Sequence, residues 1–176
     1  MTPDIQIRPF KTADFPFVVS SWLKSYKMMS YFARKVPHRI FFGHHKRVIA
    51  AILDSPMVKV YVAVSPDDDD QIIGYLVASA VRSPHEDRQC VVIQYLFVKR
   101  EFQRLGIATK LIGILNIKQQ DEVSYTHLCR LWSCSHRAPL PPAIVGFCNQ
   151  NYCKNDSTDE WIAKKYPNWV YNPYLI

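Results

Sequence analysis

The sequence predicts an α/β (α+β) domain, a mixed and mostly antiparallel central sheet with helices on both faces. Three observations predict it. Three β-patterned runs, residues 58–64, 72–82 and 90–98, follow one another with only polar connections between them, which makes them antiparallel neighbours. A helical pattern then separates residues 90–98 from another strand-like run, and such a strand–helix–strand passage pairs parallel and right-handed. Two helical stretches precede the central strands, so helices are available to cover both faces of the sheet.

Each element has its own reason. IQIRPF, from Ile5, alternates apolar and polar residues and reads as a short strand. Thr12 and Asp14 offer cap chemistry for a helix over residues 15–27, and Pro16 suits its first turn, where no backbone N–H is needed. Residues 28–37 are aromatic and basic without a clear period, a loop or a short helical piece. Over residues 38–54, Phe41, Val48 and Ile52, with Ile40, Ile49 and Leu53, recur at helical spacing, and Ser55-Pro56 ends the run. VKVYVAV and IIGYLVASAVR then form a hairpin whose turn holds Asp67 to Asp70, a run read as a solvated turn before a metal site.

CVVIQYLFV, residues 90–98, is the most apolar strand. A helix is expected over residues 109–120, with Ile107, Leu111, Leu115, Ala108 and Ile112 on its inner rows. A strand over residues 125–134, a helix from Pro139 and a tail with a short helix and a strand near Trp169 to Tyr171 complete the order.

With 176 residues, the chain is read as a single domain over residues 1–176, large enough to bury roughly 70% of its unfolded surface. Its 48% apolar and 21% charged residues exclude disorder and collagen-like structure. A net charge of +7 favours acidic partners such as nucleic acid, phosphate-bearing cofactors or anionic membranes, and identifies none of them. No apolar stretch approaches a membrane span, MTPDIQIRPF lacks a signal pattern, and five cysteines without CxxC spacing suit a reducing compartment. The expectation is a cytoplasmic protein without a membrane partner.

The chain holds five glycines, and one of them, Gly106, stands in QRLGIATK between the strand and the helix. The first amides of a helix lack internal partners and sit in the positive end of its dipole, so a phosphate is a natural guest there. A glycine permits close backbone approach, and Lys99, Arg100 and Arg104 add charge. Neither GxxxxGK[ST] nor GxGxxG is present. A plain glycine turn remains the other reading.

Gln103-Arg104-Leu105-Gly106-Ile107-Ala108 resembles the Q/R-x-x-G-x-G/A motif of the GCN5-related N-acetyltransferases, the GNAT superfamily. Tyr95-Leu96-Phe97-Val98 resembles that family's fourth strand, Phe102 the aromatic before the motif, and the element order agrees over nearly the whole chain. The resemblance implies an acyltransferase that takes acetyl-CoA as co-substrate and passes the acetyl group to an amine. It implies cofactor contacts from Phe97, Val98, Gln103, Arg104, Leu105, Gly106, Ile107, Ala108 and Thr109, with the pantetheine arm between residues 91–98 and 125–134. An oxyanion would be met by a backbone N–H near Val98.

Two positions depart from the family pattern. Gln94 stands where a glutamate base is common, and glutamine orients an amine or a water without taking its proton. Pro142 stands where a tyrosine acid is usual; Ser135, His136 and Tyr152 are the nearby substitutes. The candidate catalytic residues are therefore Gln94, Tyr95 and Tyr152. No metal is expected. His127, Cys129, Cys134 and His136 match no zinc spacing, and His44-His45 puts one imidazole on the apolar face and one in water. Trp22, Trp132, Trp161 and Trp169 read as core or rim anchors. Residues 22–45, the stretch that forms the acceptor pocket in the family, hold Lys24, Lys27, Arg34, Lys35 and Arg39 and no carboxylate, which fits an acidic or phosphate-bearing acceptor. The rival reading is a catalytically weak or inactive protein of this fold that binds nucleic acid or a protein partner.

Overall fold

The computed structural model describes residues 4–29, 31–82, 89–118, 121–125 and 169–171. In chain order these form β1 (Gln6–Pro9), α1 (Phe15–Met29), α2 (Tyr31–Lys35), α3 (His38–Asp54), β2 (Val58–Ser65), β3 (Asp68–Arg82), β4 (Gln89–Val98), α4 (Ile107–Gly113), β5 (Glu122–Tyr125) and β6 (Trp169–Tyr171). All six strands join one sheet in the order β1-β2-β3-β4-β5-β6. The first four are antiparallel neighbours, while β4–β5 and β5–β6 are parallel. The mixed sheet, the antiparallel run β2-β3-β4 and the parallel β4–β5 pair are those the sequence predicts; the pairings of β1 with β2 and of β5 with β6 come from the structure.

Strand alternation divides the core into two layers. On one face Val62, Val64, Ile72, Tyr75, Val77 and Tyr95 meet Val18, Val19, Trp22 and Leu23 of α1 and Phe41 and Ile49 of α3. On the other, Ala63, Ile73, Leu76, Ala78, Val91, Ile93 and Val123 meet Ile107, Ala108, Leu111 and Ile112 of α4. Each fully buried aliphatic or aromatic side chain contributes roughly 1.5–3 kcal/mol by leaving water.

Long-range charge pairs tie the sheet's edge. Arg8 on β1 donates from Nη1 and Nη2 to Asp14 Oδ2 and Oδ1 at 2.7 and 2.9 Å, and from Nε to Asp69 Oδ1 at 2.6 Å. Lys11 also pairs with Asp69. Burial alone would raise the Asp14 carboxyl, but the Arg8 hydrogen bonds and the Lys11 amide outweigh it and hold the group below its ordinary range.

Several sequence expectations change in detail. Asp14 does not cap α1; its carboxylate accepts the Lys11 N–H at 2.8 Å and closes a 3-10 turn over Thr12–Asp14. Residues 28–37 hold the end of α1 and the short helix α2. On α3, Ile40 is 62% exposed in spite of its helical spacing, because Phe41 and Ile49 take the inward face. β3 begins at Asp68, so the acidic run belongs partly to the strand, and Asp69 serves as the anchor for Arg8 and Lys11.

α4 runs over Ile107–Gly113 instead of residues 109–120. The N–H groups of Ile114, Leu115 and Asn116 reach back only three residues, to Leu111, Ile112 and Gly113, which tightens the last turn. Asn116 then takes a left-handed φ of 48° and stops the helix. Asp121 accepts the Lys118 N–H at 2.7 Å and turns the chain into β5, which starts at Glu122, ahead of the expected 125. The expected strand beyond Tyr125 and the helix from Pro139 lie outside the described residues.

Candidate active site

β4 leads to the candidate site, and its geometry departs from a plain strand. Val77 of β3 pairs with Tyr95 and Ala78 with Ile93, so Gln94 is the inserted residue of a β-bulge. The alternation slips there. Val91 and Ile93 face the α4 layer, and so do Leu96 and Val98; Tyr95 and Phe97 face α1. Strict alternation along a strand sets adjacent residues such as Gln94 and Tyr95 on opposite faces, and the bulge removes that requirement. Gln94 is buried.

Tyr95 is 1% exposed and stacks on Trp22, with ring centroids 4.5 Å apart and planes at 21°. Its hydroxyl hydrogen-bonds Ser25 of α1. Nearby, Ser21 donates to the Tyr75 hydroxyl at 3.1 Å, and that hydroxyl donates to the Val18 carbonyl at 3.1 Å. Phe97 stacks on Tyr75 at 5.3 Å and meets Phe17 edge-on at 6.2 Å. These contacts lock α1 to β3 and β4 through both rings and hydroxyls.

Phe97 and Val98 lie against Gly74 of β3. A β-carbon on Gly74 would stand 2.6 Å from the Phe97 carbonyl oxygen, so only glycine permits this approach. The chain leaves β4 through a 3-10 turn over Arg100–Phe102. The Gln103 side-chain amide donates to the Val98 carbonyl at 3.0 Å and folds the loop back on the strand. Arg104 and Gly106 both take left-handed backbone angles, φ 66° and 79°. Arginine in this region costs about 1 kcal/mol or more, and such strain collects at functional sites. Gly106 immediately precedes α4, with no side chain capping the helix start. Leu105 is half-buried, Ile107 and Ala108 are buried, and Arg104 and Thr109 are exposed. The turn is thus anchored from within and open outward.

The helices on the other side carry the charge. Between residues 15 and 53 the basic residues are Lys24, Lys27, Arg34, Lys35, Arg39, Lys46 and Arg47, and no Asp or Glu occurs; these seven equal the chain's formal excess of +7. Lys27 is structural: its ammonium donates to the Ala33 and Val36 carbonyls and lies 5.1 Å from the Phe41 ring centre. Lys24, Arg34, Lys35 and Arg39 are exposed. His45 packs on Phe41 at 4.1 Å and His44 is exposed, the division expected from their spacing. Burial lowers the His45 pKa, His44 adds to the effect, and the hydrogen bond to the Phe41 carbonyl opposes it.

Tyr152, Ser135, His136, Pro142 and the cysteine–histidine set from His127 lie outside the described residues. Among the described residues no group of three or more His, Cys, Asp or Glu side chains gathers as a metal site, and no helix is long and apolar enough to cross a membrane. The bulge at Gln94, the Gly74 approach and the Tyr95–Ser25 link were missed from sequence; the lone glycine in IIGYLVASAVR was the only local signal for any of them.

Comparison with known proteins agrees with this architecture. A chain from Pyrococcus furiosus described as an acetyl transferase superposes with a TM-score of 0.56 at 10% identity, over 78% of this chain and 97% of its own. A ribosomal-protein-alanine N-acetyltransferase from Brucella melitensis is similar at 13% identity and TM-score 0.46, over 64% and 69% of the two chains. An aminoglycoside acetyltransferase from an uncultured soil sample is similar at 20% identity and TM-score 0.45, over 69% and 76%. No curated protein matches by sequence. The sequence profile of the acetyltransferase (GNAT) family matches residues 23–132, well over half of the chain and all of β2 to β4, the glycine turn and α4. The chain belongs to the GNAT acetyltransferase family.

Proposed function

We propose that the chain is an N-acetyltransferase that moves an acetyl group from acetyl-CoA to an amine on an acidic or phosphate-bearing acceptor, in the cytoplasm. The observation that carries this reading is the left-handed Gly106 turn between β4 and α4, inside the residues that match the family. A turn strained at Arg104, bare at Gly106 and anchored by Ile107 and Ala108 fits a pyrophosphate. In this reading the backbone of Gln103, Arg104, Leu105, Gly106, Ile107, Ala108 and Thr109 holds that group. The exposed Arg104 guanidinium adds charge, and the backbone at Phe97 and Val98 holds the pantetheine arm.

Acetyl-CoA supplies an acetyl group on a thioester. An N–C bond forms, the C–S bond breaks, and the amine gives up one proton. The chain's own residues align the acceptor and exclude water, which accounts for much of the rate in such reactions. Gln94 orients the amine or a water through its amide; it is no base. Tyr95, held by Ser25 and Trp22, positions β4 against α1. Tyr152 is the candidate proton donor to the departing thiolate. Lys24, Arg34, Lys35 and Arg39 give the acceptor side its positive field.

Calorimetric titration of acetyl-CoA into wild type and Gly106→Asp, both checked for folding, tests the donor site. Micromolar binding that is lost in the folded variant supports the reading; no binding by folded wild type overturns it. Charge reversal at Arg34 and Lys35 should raise the acceptor KM, and an unchanged KM counts against an anionic acceptor.

A further inference from the structure

The Gln103–Val98 bond does more than fold a loop. Lys99, the residue after β4, donates its N–H to the Ile73 carbonyl at 2.8 Å, and Gly74 pairs opposite Val98. In an antiparallel ladder, hydrogen-bonded and non-hydrogen-bonded pairs alternate. The bond at Lys99 therefore makes Gly74–Val98 a non-hydrogen-bonded pair, and the N–H and C=O of Val98 both point away from β3. They stand on the edge of β4 that pairs with β5 at Cys90 to Ile93. The Gln103 side-chain amide reaches this edge and donates to the Val98 carbonyl at 3.0 Å. The peptide between Val98 and Lys99 is thus clamped twice, by β3 through its N–H and by Gln103 through its C=O. The N–H of Gln103 is also turned inward, to the Arg100 carbonyl at 3.3 Å.

We propose that Gln103 is a positioning residue that turns the β4 edge at Val98 into a donor only, so that the site selects a ligand presenting a carbonyl there. The inference rests on the donor-site reading above and refines it at Gln103, which acts through Val98 instead of touching the ligand. A bare strand edge offers N–H and C=O groups in turn and takes a ligand amide in either direction. With the Val98 carbonyl engaged from within the protein, the Val98 N–H becomes the group that meets the ligand. A ligand N–H laid there would give up water for no partner, which costs more than one hydrogen bond returns. A ligand carbonyl gains a bond. The pantetheine arm has amide carbonyls and its acyl form adds a thioester carbonyl, so the arm has the group this edge asks for. The same bond ties the strand to the turn in which Arg104 and Gly106 take left-handed angles. It thereby fixes the spacing between the pantetheine and pyrophosphate parts of the proposed site.

The test compares two probes by calorimetry: CoA, and ADP, which carries a pyrophosphate without the pantetheine arm. The readout is the advantage of CoA over ADP, from which a general change in the turn cancels. Gln103→Met keeps the length and removes the donor, and should reduce that advantage about fivefold, the worth of one net hydrogen bond. Gln103→Arg restores a donor and should restore the advantage. In wild type, CoA should slow amide exchange at Val98 and ADP should leave it unchanged, a readout that needs no variant. Equal losses for both probes in Gln103→Met would make the bond a plain loop tie and overturn the inference. An unchanged advantage in that variant, or no protection of Val98 under saturating CoA, overturns it as well. If folded wild type binds neither probe, the donor-site reading itself fails and the inference falls with it.

Discussion

The two layers that flank the sheet are made of different materials. The α4 layer is aliphatic: Ile107, Ala108, Leu111 and Ile112 on Ala63, Leu76, Val91 and Ile93. The α1–α3 layer is aromatic and hydrogen-bonded, with Trp22, Tyr75, Tyr95 and Phe41 buried and two tyrosine hydroxyls held by α1. Aliphatic packing holds a short helix in place without demanding one orientation, which is enough if, under the proposed function, the donor is held by the backbone turn before it. Stacked rings with hydroxyl links specify an angle and a register between α1 and the strands it covers. The layer behind the glycine turn is simple, and the layer of α1 and α3 is over-determined.

Truncation of each layer's central residue gives the largest expected effect. Trp22→Ala should cost about 3–5 kcal/mol and Leu111→Ala about 2–5 kcal/mol in urea denaturation. The difference between the layers should appear in the native state. Trp22→Ala should also loosen α1, seen as faster amide exchange there, whereas Leu111→Ala should leave α1 exchange at the wild-type rate. Equal loosening of α1 by both would mean that the sheet couples the layers and that their chemistry is irrelevant.

Gly74→Ala ranks next. Its β-carbon would meet the Phe97 carbonyl oxygen at 2.6 Å, a backbone atom that moves only with β4. Overpacking of this kind costs about 1–3 kcal/mol. A displaced β4 should also weaken acetyl-CoA binding under the proposed function; normal binding in a destabilised Gly74→Ala would separate the strand from the donor site.

Tyr95→Phe is smaller. It removes the bond to Ser25 and keeps the ring stack, so about 0.5–1.5 kcal/mol should be lost. A larger loss would make the hydroxyl link, and not the stacking, the dominant feature of that layer.

The smallest effect is pH-dependent. The folded pKa of His45 lies below its ordinary value of 6.5, so the unfolded chain binds its proton first. Its contribution is complete above 6.5 and is lost as pH falls through the lowered folded value. His45→Gln should flatten the decline in the urea midpoint below neutrality, and an unflattened decline would move that dependence elsewhere. Asp14 acts lower still: its folded pKa is depressed, so its contribution is present above its ordinary value of 3.8 and fades as pH falls through the folded one.

Local pattern accounts for much of what is observed. Alternation and helical spacing were sufficient to locate β1, α1, α3 and β2 to β4, and the intervening helix showed which neighbours run parallel. The turn at Gly106 was legible because a glycine between strand and helix suits a left-handed backbone position. The short reach of α4 was not, since Leu115 continues the apolar rows and only the left-handed Asn116 shows the stop. Nor was the exposure of Ile40, because spacing alone does not say which of two adjacent apolar rows meets the sheet.

By itself, then, the sequence determined β1, α1, α3 and β2 to β4 with their order, the charge carried by the first three helices and the glycine turn, because each depends on residues near in the chain. Tertiary structure alone decided the bulge at Gln94, the contact of Gly74 with Phe97, the Tyr95–Ser25 link and the pairing of Arg8 with Asp69 across 61 positions. Those depend on strand register and on which helix face meets the sheet, and both are settled by the packing of the whole core.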